Sequence, residues 1–557
     1  MDISRREFVR GAAAAGGLAA AGAALGGAAV LAGCSSGGAG SGAASSGGAG
    51  DAGRTDVIVA MTAESEPDAG FDPFYSWGCG EHVHEPLIQS TLVTTDANLD
   101  FANDLATGYE CSDDGLLWTF DLRGDAFFTD GEKLTARDAA FTLNGIKNFA
   151  AAQLDLSYLD YARAASDTRL ELHLNKPFNA LLYTLAVVGI VPEHAYDAAA
   201  YGQNPIGSGR YKLERWDRGQ QAVLVANPGY YGAAPKMQRV TVVFMGEEAA
   251  LAAAQSGSVD VAYTAPNFAA SVPAGFELLR CKTVDSRGIS LPCVASGATR
   301  ESGGQSYPAG NDATCHVELR RAMNYALDRE KLVANTLNGY GSVAWSVCDG
   351  LSWASEDMRA AHDVEYAARL LEEAGWKKGE DGVWALGTLR AAFTLMYPSG
   401  DSSRQAMANE FSNQMREFGV AVEVAGSSWS TDAAGLYAHQ YSDPIVWGWG
   451  ANSPVQLYDL TYGSSEGNYA SCADAAVDAH LDAALAHPKV EDSFEDWRLA
   501  QWDGSAGVAP AGSAPWVWLA CVEHLYFKRE GLDVAAQKPH PHGHGWSLVN
   551  NVDAWSW

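Results

Sequence analysis

The chain has 557 residues, 47% hydrophobic and 19% charged, which makes it globular and long enough for two or three packed domains. A formal net charge of −31 and a pI near 4.7 argue against a nucleic-acid partner, whose phosphates such a surface would repel. The acidic residues are spread along the chain rather than gathered in a tail, as on a solvated surface.

The N-terminus reads "MDISRREFVRG", then an Ala/Gly/Leu-rich run ending in "LAGC". A basic start, an apolar middle and small residues before the cleavage point make residues 1–33 a secretory signal. Arg5 and Arg6, with Phe8 after them, resemble a twin-arginine export signal. "LAGC" resembles the bacterial lipobox, which makes Cys34 the expected lipidation site. A transmembrane helix is the alternative, but the run is short, Gly-rich and followed by no stop-transfer pattern. Residues 34–54 are almost all Gly, Ser and Ala, the composition of a flexible tether. "GCSSG" within it satisfies G-x-S-x-G by chance, since no strand precedes it and no helix follows.

From "DVIVAM" onward the pattern is that of a folded body. "LLWTFDLR" alternates as a half-buried strand. Thr135 before "ARDAAFTLNGIKNF" is an N-cap, and Asp138 completes an acidic capping box. Apolar residues at 139, 140, 143 and 146 then share one helical face. "EYAARLLEEAGW" and "RQAMANEFSNQMREFG" are amphipathic helices stopped by Gly375 and Gly419. The second leads into the alternating strand "VAVEV", an α/β repeat that favours parallel sheets covered by helices.

The stretch "DLATGYECSDDGLLWTFDLRGDAFFTDGEKLTARDAAFTLN" resembles the signature region of the family-5 solute-binding proteins of ABC importers, the dipeptide, oligopeptide and nickel binders. "PIGSGRYKLERW", "EEAALAAAQSGSVDVAY" and "VELRRAMNYALDREKLVANTLNGYG" continue the resemblance, which spans about 55–530. Ser208 and Arg210 stand where the family usually has Thr and Pro. The resemblance implies an α/β, two-lobed periplasmic-binding-protein fold, type II-like and of the large peptide-binding cluster, with an extra subdomain in lobe one. The expected division is lobe one at 55–285, lobe two at 286–505 and a C-terminal segment, 506–557, returning to lobe one. It also implies a lipid-anchored binder on the outer face of the cytoplasmic membrane or in a periplasm. Such a monomer closes on a peptide or peptide-like ligand and delivers it to an ABC permease and ATPase complex. No cofactor is implied.

Three segments carry recognition groups. "YSWGCGEHVHE" offers Tyr75, Trp77, Glu81 and His82 as cleft residues, with His82 and His84 as weak metal candidates because alternate residues of an extended segment point the same way. "PIVWGWGANSPVQLYDLTY" places Trp447 and Trp449 on one strand face, either as a ligand platform or as core. Peptide-binding relatives carry an Asp in this stretch that neutralises the peptide's amino terminus, and here the place reads "GANSP". Asn452, Tyr458, Asp459 or Tyr462 can take that role, and the departure keeps a metal–chelator complex of nickel type, or haem, open as the alternative ligand. "KPHPHGHGW" alternates His540, His542 and His544, a further weak metal candidate or a solvated turn. Arg210, Arg287 and Arg404 are candidates to pair a ligand carboxylate.

An exported hydrolase is the competing class, and the chain has no H-E-x-x-H, no P-loop and no credible nucleophile elbow. No enzyme activity is therefore expected. Of nine cysteines, setting Cys34 aside leaves eight, an even number compatible with disulfides in an exported protein. No C-x-x-C occurs. Cys281 and Cys293, on two neighbouring strands, are the first expected bridge.

Overall fold

The computed structural model describes residues 53–67, 69–75, 86–96, 99–149, 154–302, 305–427, 435–450, 452–537 and 548–557. The lipobox Cys34, the tether up to Ala52, and Trp77, Glu81, His82, His84, His540, His542 and His544 lie outside them.

Two large sheets organise the chain. The first has seven strands, in the order Phe276–Cys281, His524–Arg529, Val261–Thr264, Asp56–Met61, Arg239–Phe244, Gln221–Ala226 and Tyr211–Asp217. Its central strand, Asp56–Met61, runs parallel to both neighbours, and the pairs beyond are antiparallel. The second has six strands, in the order Gly341–Val343, Trp516–Val522, Ser286–Ser290, Ile445–Trp449, Ala392–Pro398 and Ala421–Ser427. The C-terminal segment serves both sheets, Trp516–Val522 in the second and His524–Arg529 in the first.

The α/β repeat expected from the sequence lies in the second sheet. Ala392–Pro398 and Ala421–Ser427 pair in parallel, and the helix Ser402–Phe418 makes the crossover between them. Gly419 ends that helix at φ +108°, a conformation costly for any residue with a Cβ, and its N–H closes the last turn on the Met415 carbonyl at 2.8 Å. Gly375, at φ +90°, follows the helix Val364–Glu373 in the same way.

A four-stranded antiparallel sheet, in the order Ala106–Cys111, Leu117–Leu122, Arg169–Leu174 and Leu159–Ser166, forms the extra subdomain with the helix Ala136–Asn148. Thr135 caps this helix, and the Asp138 carboxylate accepts the Thr135 backbone N–H at 2.8 Å. Ala139, Ala140, Leu143 and Ile146 are all buried against the sheet, as their spacing predicts.

Each face of the six-stranded sheet has its own core. Ile289, Val446, Val517 and Leu519 pack on the helices Val317–Ala326, Arg329–Leu337, Val364–Glu373 and Ser402–Phe418. The opposite face presents Trp449, Trp516 and Trp518 to a larger cluster that also takes in the extra subdomain's Trp118, Phe120, Leu170 and Tyr183. That shared cluster brings the subdomain against the second lobe. There the Asn179 side chain donates to the Ala484 carbonyl at 2.8 Å, and its backbone N–H to Leu485 at 3.3 Å.

Candidate ligand-binding cleft

The chain crosses between the two sheets twice, after Cys281 and after Val522, and these crossings form the hinge region. Asp285 on the first crossing accepts from His524 Nε2 on the second at 2.9 Å, and the Val522 N–H donates to the Asp285 carbonyl at 3.0 Å. Asp285 is 1% exposed and also pairs with the Arg287 guanidinium. Two rigid bodies are thus joined through a short, ion-paired double crossing, the architecture of hinge closure.

Arg287 extends over Gly448 on the adjacent strand, where a Cβ would run into its guanidinium. Burial works against its charge, but Asp285, with Asp401 further off, outweighs that and holds its pKa above the ordinary value. Asp401 is the N-cap of the helix Ser402–Phe418; its carboxylate accepts the Arg404 N–H at 2.8 Å and pairs with the Arg404 guanidinium. Burial pushes the Asp401 carboxyl up, yet Arg404 and Arg287 overcome this and keep it below its usual value. Arg404 Nε is buried with no hydrogen-bond partner among the described residues. Arg210 lies apart, paired with Asp553 at 3.0 Å. Among the three sequence-predicted arginines, Arg404 therefore carries an unmet, buried donor.

A cavity of about 320 Å³ opens beside this cluster. Pro266 and Asn267, beyond the end of the strand Val261–Thr264, line one side; Thr336, Ser402, Gln405 and Asn409 line the other. Asn267 Oδ1 lies 3.5 Å from Ser402 Oγ, so a polar contact crosses between the lobes.

The aromatic wall comes from the strand Ile445–Trp449 and the loop after Tyr462. Trp447 and Trp449 share a face, as the alternation predicts, and both rings meet Tyr469, at 5.8 Å edge-on and 5.9 Å tilted. Trp449 is 9% exposed and Trp447 somewhat more open. Tyr469 went unnoticed in the sequence, because nothing in "GNYASC" marks a loop tyrosine as the partner of a distant strand. Trp516 and Trp518, stacked at 4.9 Å, were missed too, and they fill the core behind the wall.

Tyr458 and Tyr462 stack at 4.4 Å along the helix Val455–Thr461, with Tyr462 Oη donating to Asp482 at 3.3 Å. Asn452 is half-buried just before that helix. Asp459 on the same helix is pushed up to about 7 by burial and, to a lesser degree, by the charge of Asp155 in the extra subdomain. Tyr75 belongs to a different neighbourhood: its ring meets Phe149 edge-on at 4.6 Å, and Asp72, pushed up to about 6 by burial, lies near it.

The expected Cys281–Cys293 bridge is corrected. Cys281 is buried in the seven-stranded sheet, whereas Cys293, beyond the strand Ser286–Ser290, lies in the second lobe near Cys472, with its N–H bonded to the Ala470 carbonyl at 2.7 Å. Adjacency in sequence misled here, because the chain passes from one lobe to the other between the two residues. Among the described residues no group of three or more His, Cys, Asp or Glu can hold a metal ion. No helix among them is long and apolar enough to cross a membrane.

Hinge, interlobe cavity and aromatic wall define a two-lobed solute binder, and comparison with known proteins identifies which. The profile of the bacterial extracellular solute-binding proteins, family 5 (Middle), matches residues 100–471, and the chain belongs to that family. Protein XP55 of Streptomyces lividans is 30% identical over 496 residues, 85% of each chain. The oligopeptide-binding protein AppA of Bacillus subtilis is 26% identical over 414 residues, 71% of this chain and 74% of that one. Among solved structures, NikZ from Campylobacter jejuni in complex with Ni(L-His) superposes with a TM-score of 0.77 at 23% identity, covering 90% of this chain and 100% of that one. AppA of B. subtilis with a nonapeptide superposes with a TM-score of 0.70 at 21% identity, over 90% and 98% of the two chains.

Proposed function

We propose that the protein captures a peptide or peptide-like ligand between its lobes by hinge closure and hands it, unchanged, to an ABC permease and ATPase complex. Family membership across residues 100–471 carries this reading, and the sequence relationship to an oligopeptide-binding protein favours peptides over metal chelates. The site suits such a guest. Trp447, half-buried against Trp449 and Tyr469, offers aromatic surface, Ser402, Gln405 and Asn409 offer polar groups in the cavity, and Asp459 offers a carboxylate for an amine. Tyr75, Trp77, Glu81, His82, Asn452, Tyr458 and Tyr462 complete the proposed ligand set. Binding of this kind needs no nucleophile or general base, so the protein acts stoichiometrically rather than as an enzyme. The proposed setting is export by the N-terminal signal, lipidation at Cys34, and a monomer tethered through residues 34–54 to the outer face of a membrane.

Native mass spectrometry of the purified protein, followed by thermal-shift screening of peptide pools against nickel–histidine, tests this. A ligand of the native state raises the melting temperature by mass action. A stoichiometric peptide adduct and a peptide-dependent shift are expected. A shift with nickel–histidine alone would move the assignment to the metal–chelate class, and turnover of a bound peptide would overturn the binding role.

A further inference from the structure

We propose that Cys293 and Cys472 are joined by a disulfide in the exported protein, and that this bond pins the loop carrying Tyr469 behind the Trp447–Trp449 pair. The bond itself is independent of the ligand; its consequence for the cleft rests on the function proposed above.

The two cysteines are far apart in sequence but adjacent in the fold. The Cys293 N–H donates to the Ala470 carbonyl at 2.7 Å, two residues before Cys472, so their segments are already fastened by backbone. The two thiols perturb each other's titration, and that of Cys293 donates to the Leu291 carbonyl at 3.5 Å. Both residues are partly exposed, within reach of a soluble oxidant. The backbone of Cys472 is held by the buried Asn468, which donates to its carbonyl at 2.7 Å and accepts its N–H at 3.2 Å. Arg300 grips the Asn468 carbonyl at 2.7 Å, and Ser471 between them sits at φ +50°, a conformation unusual for a residue with a Cβ. Such a loop is built to present Cys472 in one place.

The surroundings also suit thiol–disulfide exchange. The interaction between the two thiols holds Cys472 below and Cys293 above the usual thiol range, and the buried Arg320 favours the thiolate of either. The Cys472 thiolate attacks one sulfur of an exogenous disulfide RSSR, forming a mixed disulfide and expelling RS⁻. Cys293 then loses its proton and attacks the Cys472 sulfur, expelling the second RS⁻. Two protein thiols become one disulfide, and their two electrons and two protons leave with two molecules of RSH. Cys315, whose thiol donates to the Asp312 carbonyl at 3.3 Å, is the neighbour that can compete.

Tyr469 lies three residues before Cys472 and is the ring on which both tryptophans rest. A covalent tie to the segment following the strand Ser286–Ser290, whose residues pair with Ile445–Trp449, fixes that ring to the same sheet as the wall it supports.

The test uses the full chain, reduced and then exposed to oxidised glutathione, with remaining thiols blocked by N-ethylmaleimide under denaturing conditions and the protein digested without reductant. The expected product is the Cys293 peptide linked to the Cys472 peptide, still formed in Cys315→Ser and lost in Cys293→Ser and Cys472→Ser. Recovery of both cysteines as maleimide or glutathione adducts, or either one linked to Cys315, would overturn the bond. Hydrogen exchange over residues 463–474 is expected to slow at least tenfold on oxidation of the wild-type chain and not in Cys472→Ser. Equal exchange in oxidised and reduced wild type would overturn the pinning.

Discussion

Two neighbouring regions of the second lobe are built from the same strands yet use opposite physics. One face of Ser286–Ser290 and Ile445–Trp449 carries Trp447 and Trp449, packed on Tyr469. On the other, Arg287 covers Gly448 and joins Asp285 and Asp401 in a paired-charge cluster at the hinge. Because side chains alternate along a strand, a shift of one residue moves from an apolar platform to an ionic seam. The wall is held by packing. The seam is held by compensation, so any unmatched charge there is costly.

The largest expected effect comes from breaking the seam. Asp285→Ala strands Arg287 and His524, which are 13% and 9% exposed, and should lower stability by about 4 kcal/mol in denaturant unfolding. A loss below about 1 kcal/mol would mean that the hinge charges are solvated and the contrast with the wall is false. Tyr469→Ala attacks the wall and should cost about 3 kcal/mol, in line with truncating a buried aromatic ring, while weakening ligand binding. Asp285 sits on the hinge crossing and Tyr469 against the opposite face of the sheet, so the double variant should lose close to the sum of the single losses.

A smaller effect concerns Asp459. Its carboxyl titrates at about 7 in the folded protein, against about 3.9 in an unfolded chain. Between those values the folded state binds the extra proton, so stability falls as the pH rises through that window. Asp459→Asn removes this penalty and should be more stable than wild type by about 2 kcal/mol at pH 8, after allowance for solvent screening, with no difference at pH 4. Equal pH profiles for the two proteins would remove the raised Asp459 carboxyl from the account. The smallest effect is a control remote from both regions: Thr135→Ala deletes an N-cap and should cost about 1 kcal/mol without changing ligand affinity.

Local chemistry was legible in the sequence. The Thr135 cap, the buried face at 139, 140, 143 and 146, the stops at Gly375 and Gly419 and the shared face of Trp447 and Trp449 each follow from spacing within one element. Contacts between distant segments were not. Tyr469 reaches the wall from a loop, Trp516 and Trp518 arrive from the C-terminal crossing strand, and the charge of Asp155 reaches Asp459 only because the subdomain packs on the second lobe. The cysteine pairing failed for the same reason, since Cys293 and Cys472 become neighbours only through the sheet order. Among the three arginines, residue type gave no ranking, and the difference lay in which partners burial left them.

Closure itself is tested most directly by small-angle X-ray scattering of the full chain, alone and saturated with the peptide identified by native mass spectrometry. The account predicts a smaller radius of gyration with peptide, and no such change in the same chain titrated with a peptide that does not bind. Identical scattering with and without saturating peptide would contradict capture by hinge closure.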